Sequence, residues 1–294
     1  MEPGRLAHEG KFEFGGRYVM DHPPEAARLN CKVDPDYWVA KYLSRLLPRV
    51  GNVLEVGCGP GVIACAAARE RPMSTVMGVD ISSARLARRA AKLPHNVILR
   101  EADAVDLPFA DDAFEVVYSR FPFESLDDQP PALSEMVRVC SAGGKVLLQD
   151  LDGQLVWHSP EDAELKEGMR CVLEALDKRG FDPFVGRKLY SLCQSAGLDD
   201  IQVSAESRHL FAGSADDHDL QLWEEKLDQM LPVAARVLGG APAAQAFRDR
   251  FLNYLRRDDS LTHSVIFTVE GTKPVIDAKR VAALTLVDRP APRA

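Results

Sequence analysis

The stretch Val53-Leu54-Glu55-Val56-Gly57-Cys58-Gly59-Pro60-Gly61 decides the fold. Val53 to Val56 reads as a short buried strand that includes a carboxylate. Three glycines follow at alternate positions, and the Ala-rich run Val62 to Arg71 then predicts a helix that Pro72 stops. Strand, glycine turn and helix make half of a nucleotide-binding βα unit. Without a Cβ the backbone can turn sharply and approach a ligand closely. The helix that follows aims its free N–H groups at the same place, which favours a carboxylate or phosphate there.

Reading outward, Thr75 to Asp80 predicts a second strand, with Ser82 or Ser83 capping the next helix. An acid at the end of a second strand can accept from both ribose hydroxyls, so Asp80 points to an adenosine ligand without choosing which. Val97 to Glu101 predicts a third strand and Phe114 to Ser119 a fourth. A helix from about Pro130 to Val139 follows, with Asp127 or Asp128 as its cap and proline tolerated in its first turn. Lys145 to Gln149 predicts a fifth strand, Glu161 to Arg179 and Gly186 to Ala196 two helices, Ile201 to Phe211 a sixth strand and His263 to Gly271 a seventh. The segment between the last two strands is too long for a plain loop. Helical patterns over Asp216 to Leu231 and Ala235 to Arg256 make it an inserted cap.

The glycines give E-x-G-x-G-x-G rather than the G-x-G-x-x-G of dinucleotide enzymes. That pattern resembles the first motif of the class I S-adenosylmethionine (SAM)-dependent methyltransferases. Glu101-Ala102-Asp103-Ala104-Val105-Asp106-Leu107-Pro108-Phe109-Ala110-Asp111-Asp112-Ala113-Phe114-Glu115-Val116-Val117 is similar to a stretch of the ubiquinone- and menaquinone-biosynthesis type within that class, as is the order E-M-x-R-V-x-x-x-G-G-x-V from Glu135 to Val146. The resemblance covers about residues 50 to 150. It implies SAM as cofactor, with Glu55, Gly57, Cys58, Gly59 and Gly61 around its methionine end and Asp80 with Ile81 at the ribose. Asp103 would take the adenine amino group, since a carboxylate only accepts, and the backbone N–H of Ala104 would meet a ring nitrogen. Ser119, Arg120 and Phe121 would stand near the methyl group, and Tyr18 and Arg28 would reach in from an N-terminal lid.

The expected fold class is therefore α/β: a Rossmann-like, doubly wound, seven-stranded and mostly parallel sheet with an N-terminal lid and a helical cap insertion. The divisions are 1–48 lid helices, 49–211 SAM-binding core, 212–260 cap, 261–274 final strand and 275–294 tail. A sulfonium suits an apolar enclosure with aromatic faces, for which Phe121 and Phe123 are candidates. Candidate general bases are His158 and Glu124, then His22; His158 leads because its ordinary pKa is near neutral. Trp157, Phe181, Phe184, Phe211 and Trp223 are candidates for an apolar substrate cavity.

Composition sets further bounds. Hydrophobic residues make up 46%, enough for a sizeable core, yet no apolar run reaches the ~20 residues that span a bilayer. With no signal-peptide pattern at the N-terminus, a cytoplasmic protein is expected. A net charge of −8 argues against nucleic acid as partner. Arg85, Arg88, Arg89 and Lys92 read as one solvated helix face. None of the six cysteines forms a C-x-x-C pair, so no metal is expected. The reading is a methyltransferase acting on an O, N or C atom of a small, largely apolar metabolite, as a monomer or homodimer. The alternatives are a SAM-fold protein without methyl transfer, either a pericyclase-like catalyst or a regulator that binds SAM or S-adenosylhomocysteine.

Overall fold

The structure is a computed structural model that describes residues 34–88 and 93–275. Expectations for Tyr18, His22, Arg28, the helix before Asn30, Arg89, Lys92 and the tail beyond residue 275 lie outside the described residues. The chain enters through α1 (Pro35–Trp38), which Asp34 caps by accepting from the amides of Asp36 and Tyr37. A π-helical turn over Val39–Leu43 continues it.

Seven strands form one sheet: β1 (Asn52–Val56), β2 (Thr75–Asp80), β3 (Val97–Glu101), β4 (Phe114–Arg120), β5 (Cys140–Ser159), β6 (Asp199–Ala212) and β7 (Leu261–Thr272). Their order is β3-β2-β1-β4-β5-β7-β6. Neighbours from β3 to β5 pair in parallel, while β7 runs antiparallel to both β5 and β6. The helices between them are α2 (Val62–Glu70), α3 (Ser83–Leu86), α4 (Gln129–Val139), α5 (Ala163–Asp177), α6 (Leu189–Ser195), α7 (Asp217–Val237) and α8 (Ala241–Leu255).

Strand periodicity divides the interior into two layers. Val53, Val116 and Tyr118 face α1, the π-helical turn after it and α2, which contribute Trp38, Leu43 and Ile63 to Ala68. Leu54, Val56 and Val117 face the other way, onto Leu133 and Met136 of α4 and Leu189 and Cys193 of α6. Alternate side chains of a strand point to opposite faces, so a sheet buried on both sides needs apolar residues on both alternations, as Val53 on one face and Leu54 and Val56 on the other supply in β1. The order also reverses at β1. The chain runs out through β2 and β3, then returns to β4 on the other flank, leaving a crevice where the ends of β1 and β4 diverge.

A third apolar cluster lies beyond the parallel strands. The two helices between β6 and β7 pack with α5 around Trp223, Phe247, Phe251 and Leu255. Two details differ from the sequence reading. First, β5 was expected over Lys145 to Gln149 but runs on to Ser159. Its continuation holds glycine and aspartates that read as loop, yet β7 pairs with it from Lys145–Thr272 to Ser159–Leu261. Tertiary pairing here overrides weak strand propensity. Second, α7 continues through Pro232, where the helix was expected to stop. The missing N–H is tolerated because Val233 and Ala234, just past it, are buried in the third cluster.

Phe251 is 1% exposed and stacks near Trp223, with ring centroids 5.7 Å apart. Phe251→Ala is expected to lower unfolding free energy by ~3–5 kcal/mol, measured by denaturant titration.

Candidate functional site

At the crevice, Gly57 has φ +75° and Gly59 φ +54°, the left-handed region that glycine enters without penalty. The amides of Gly57 and Cys58 both donate to the Val79 carbonyl, at 2.8 and 2.9 Å. The Gly59 amide donates to Asp80 Oδ2 at 2.8 Å. A Cβ on Gly57 would lie 2.3 Å from Pro122 Cγ, so glycine is needed there for close approach. A Cβ on Gly59 would meet nothing within 4 Å, because the space above it is the cavity. Gly61 instead presses on Leu99, whose Cδ1 lies 2.7 Å from where a Cβ would sit.

The cavity holds about 460 Å³ and is walled by Glu55 to Pro60, Val79 to Ile81, Ala102 to Val105, Arg120 to Pro122 and Ser125 to Asp128, with Arg85 among the other contributors. That size suits a cofactor or drug-sized ligand. Glu55, Gly57, Cys58, Gly59, Asp80, Ile81, Asp103, Ala104, Arg120 and Phe121 are thus brought together as the sequence suggested. Gly61 and Ser119 are not on this wall. Ser119 is buried and its hydroxyl donates to the Val56 carbonyl at 2.8 Å, so it ties β4 to β1.

Asp80 is 4% exposed; Oδ1 accepts from the Ser82 amide at 2.9 Å and faces Arg85 at 3.2 Å. Arg85 is therefore not part of a solvated basic face. The helix that was to display it ends at Leu86, and the side chain turns inward to the carboxylate. Asp103 accepts from the Val105 amide at 3.2 Å in the turn after β3. Ser125 Oγ is a cavity-wall hydroxyl, buried and without a hydrogen-bond partner among the described residues, which leaves it open to a ligand. No sequence signal marked it.

The remaining expectations fare differently. His158 does not line the cavity. It sits on β5 against Thr262, with Nδ1 and Oγ1 3.0 Å apart, and packs under Phe251 and Tyr254. Burial there pushes the imidazole down to about 4, leaving it neutral at pH 7. The extended β5 carried it away from the place a short strand would have put it. Glu124 is also off the cavity wall and 6% exposed. Its amide donates to Asp150 Oδ2 at 3.2 Å and its Oε2 accepts from Gln154 at 3.0 Å. Trp157, Phe181, Phe184, Phe211 and Trp223 do not line the cavity. Phe181, Phe211 and Trp223 belong to the third cluster, and Trp157 is 44% exposed.

Electrostatics sharpen the picture. Glu55 is 3% exposed and accepts from the Tyr118 hydroxyl at 3.1 Å. Burial nonetheless pushes its carboxyl up to about 8. The Cys58 thiol is raised far beyond its ordinary range by the same cause, which makes it unreactive. Among the described residues no group of His, Cys, Asp and Glu could hold a metal, and no helix is long and apolar enough to cross a membrane.

The residues fit an adenosyl ligand with an amino-acid end. Gly59 opens a cradle that any side chain would fill, Asp80 and Asp103 offer acceptors across it, and Ile81, Ala102, Val105 and Leu126 give it apolar walls.

Comparison with known proteins agrees. The family described as a methyltransferase domain matches residues 54–148. A methyltransferase of Strobilurus tenacellus, str3, is 26% identical over 56% of this chain and 61% of its own length. The demethylmenaquinone methyltransferase of Symbiobacterium thermophilum is 33% identical over 37% of this chain and 47% of its own. The chain thus spans roughly half the length of these curated relatives. A solved phosphoethanolamine N-methyltransferase from Haemonchus contortus, in complex with S-adenosylhomocysteine, shares the fold. It has a TM-score of 0.51 and 20% identity, covering 81% of this chain and 53% of that one.

Because Glu55 is held protonated in the fold but ionises near pH 4.5 when unfolded, stability falls as pH rises from about 4.5 to about 8 and then levels off. Glu55→Gln keeps an acceptor for Tyr118 and removes this penalty. The fall in melting temperature between pH 5 and 8 is expected to shrink, by about 2–4 °C for each kcal/mol recovered, in thermal melts across pH.

Proposed function

We propose that this chain, whose central domain is that of the class I SAM-dependent methyltransferases, moves a methyl group onto an O, N or C atom of a small, largely apolar metabolite. One observation carries the reading: the turn residues 57–60, Asp80 and Asp103 converge on a single cavity at the sheet's reversal point. When bound, SAM supplies a methyl group activated by a positive sulfonium. The protein's part is binding, orientation and exclusion of water.

In this reading Asp80 accepts from a ribose hydroxyl through the Oδ2 lone pair that Gly59 leaves open, Ser82 and Arg85 engaging Oδ1. Asp103 accepts from the adenine amino group, and the Ala104 amide meets the ring. Glu55 to Gly59 hold the amino-acid end. Phe121 and Pro122, at the mouth of the turn after β4, place the acceptor near the reacting carbon. Phe121 has φ +70° and its amide donates to the Gln149 carbonyl at 2.9 Å. A side chain held in that region carries strain of about 1–3 kcal/mol, such as functional sites store. Two helices inserted before β7 act as a cap, and residues 34–48 as part of a lid.

The test is direct. S-adenosylhomocysteine is expected to bind the parent chain in calorimetry. Asp80→Ala and Asp103→Ala should each weaken it about 10- to 100-fold, the worth of a charged hydrogen bond of ~1.5–3 kcal/mol. Labelled methyl should pass from SAM to a small molecule in metabolite extracts. Tight binding with no transfer would sink the methyltransferase reading and favour a non-transferring SAM protein.

A further inference from the structure

Arg120 ends β4 with its side chain on the cavity wall. Its guanidinium stacks on the Phe121 ring, 3.9 Å from the centroid, and its Nε donates to Gln149 Oε1 at 3.2 Å. Gln149 is itself fixed. It is 2% exposed, its Oε1 accepts from Trp38 Nε1 at 2.7 Å, and its Nε2 donates to Thr268 Oγ1 at 2.7 Å. The guanidinium is thus clamped from two sides by neutral groups. Among the described residues no carboxylate stands within ion-pair distance of it. Arg208, from β6, lies near enough to repel it.

Such an arrangement favours something negative to complete it, since a charge partly withdrawn from water gains from a counter-ion. Burial holds the guanidinium down to about 9, still charged at neutral pH. Glu55 and Asp150 lie near enough to favour that charge. Burial pushes both of their carboxyls up, which weakens them as counter-ions. A planar guanidinium already stacked on one face keeps its in-plane N–H groups for an oxygen pair or a single oxyanion. Phe121 holds φ +70° beside that stack.

We propose that Arg120 is an oxyanion receptor, and that the acceptor substrate meets it as an anion: a phenolate, an enolate or a carboxylate. This rests on the methyltransferase reading. It also accounts for the absence of His158 from the cavity wall. An acceptor stabilised as its anion loses its proton to solvent on binding and needs no imidazole beside it.

The test is binding to the whole 294-residue chain saturated with S-adenosylhomocysteine, by calorimetry, with benzoate and its neutral isostere benzamide as probes. The parent should bind benzoate at least about tenfold more tightly, as befits a charge-assisted pair. Arg120→Gln should lose the preference and Arg120→Lys should keep part of it. Equal binding of the two probes by the parent overturns the proposal, as does a preference that survives in Arg120→Gln. So does an Arg120→Gln variant that weakens S-adenosylhomocysteine about thirtyfold while leaving 5′-methylthioadenosine unaffected, because the guanidinium then serves the cofactor's own carboxylate. Should Arg120→Gln not fold, the parent ratio and Arg120→Lys decide. A parent that binds no S-adenosylhomocysteine fails the methyltransferase reading instead, and the benzoate comparison, run without it, still decides Arg120.

Discussion

The carbonyl of Val79 accepts two hydrogen bonds, from Gly57 and Cys58, and the carboxylate of the next residue accepts a third from Gly59. These three bonds bind the turn after β1 to the end of β2, and the shape of the cavity follows. They hold the backbone in the left-handed region at Gly57 and Gly59, where a Cβ would be strained or would collide. They also commit one oxygen of Asp80 to structure before any ligand arrives. A residue that looks like a simple ligand contact is therefore also part of the scaffold.

In and behind the same crevice lie groups whose charge states are set by burial. Glu55 and Asp150 are pushed up and Arg120 down, all chiefly by desolvation. Water that would ordinarily solvate them has been replaced by fixed partners: the Tyr118 hydroxyl for Glu55, backbone amides for Asp150, and Gln149 with the Phe121 ring for Arg120. In a poorly solvated site such fixed dipoles act strongly on a ligand's charge. Gln149 has a particular place here, because it connects Trp38 on α1 to Arg120 on β4. The position of the first helix is thereby coupled to the wall of the cavity.

Beyond the parallel strands, the antiparallel pairing of β5, β7 and β6 creates a second body of structure. β5 extends to Ser159, and α5, α7 and α8 close over the extension with an aromatic cluster. His158 belongs to this cluster. Its Nε2, without a partner among the described residues, and its low pKa are those of an imidazole confined among aromatic rings.

Local patterns in the chain were enough to specify the parallel core. The apolar run at Val53 to Val56, the alternate glycines, and the acids Asp80 and Asp103 each act through neighbours a few residues away, so their meaning survives without knowledge of the fold. Tertiary structure alone decided several of the side chains that reach the cavity or turn away from it. Arg85 lies in a basic run that reads as solvated, yet it turns inward to Asp80; Ser125 carries no pattern at all; Ser119 bonds to the Val56 carbonyl across the sheet instead of facing the ligand. His158 was misplaced because strand length is settled by pairing with β7, more than a hundred residues later in the chain. Contacts of that range leave no periodicity in either partner. The reach of β5, and with it the identity of the groups near the acceptor, had to come from the packed sheet.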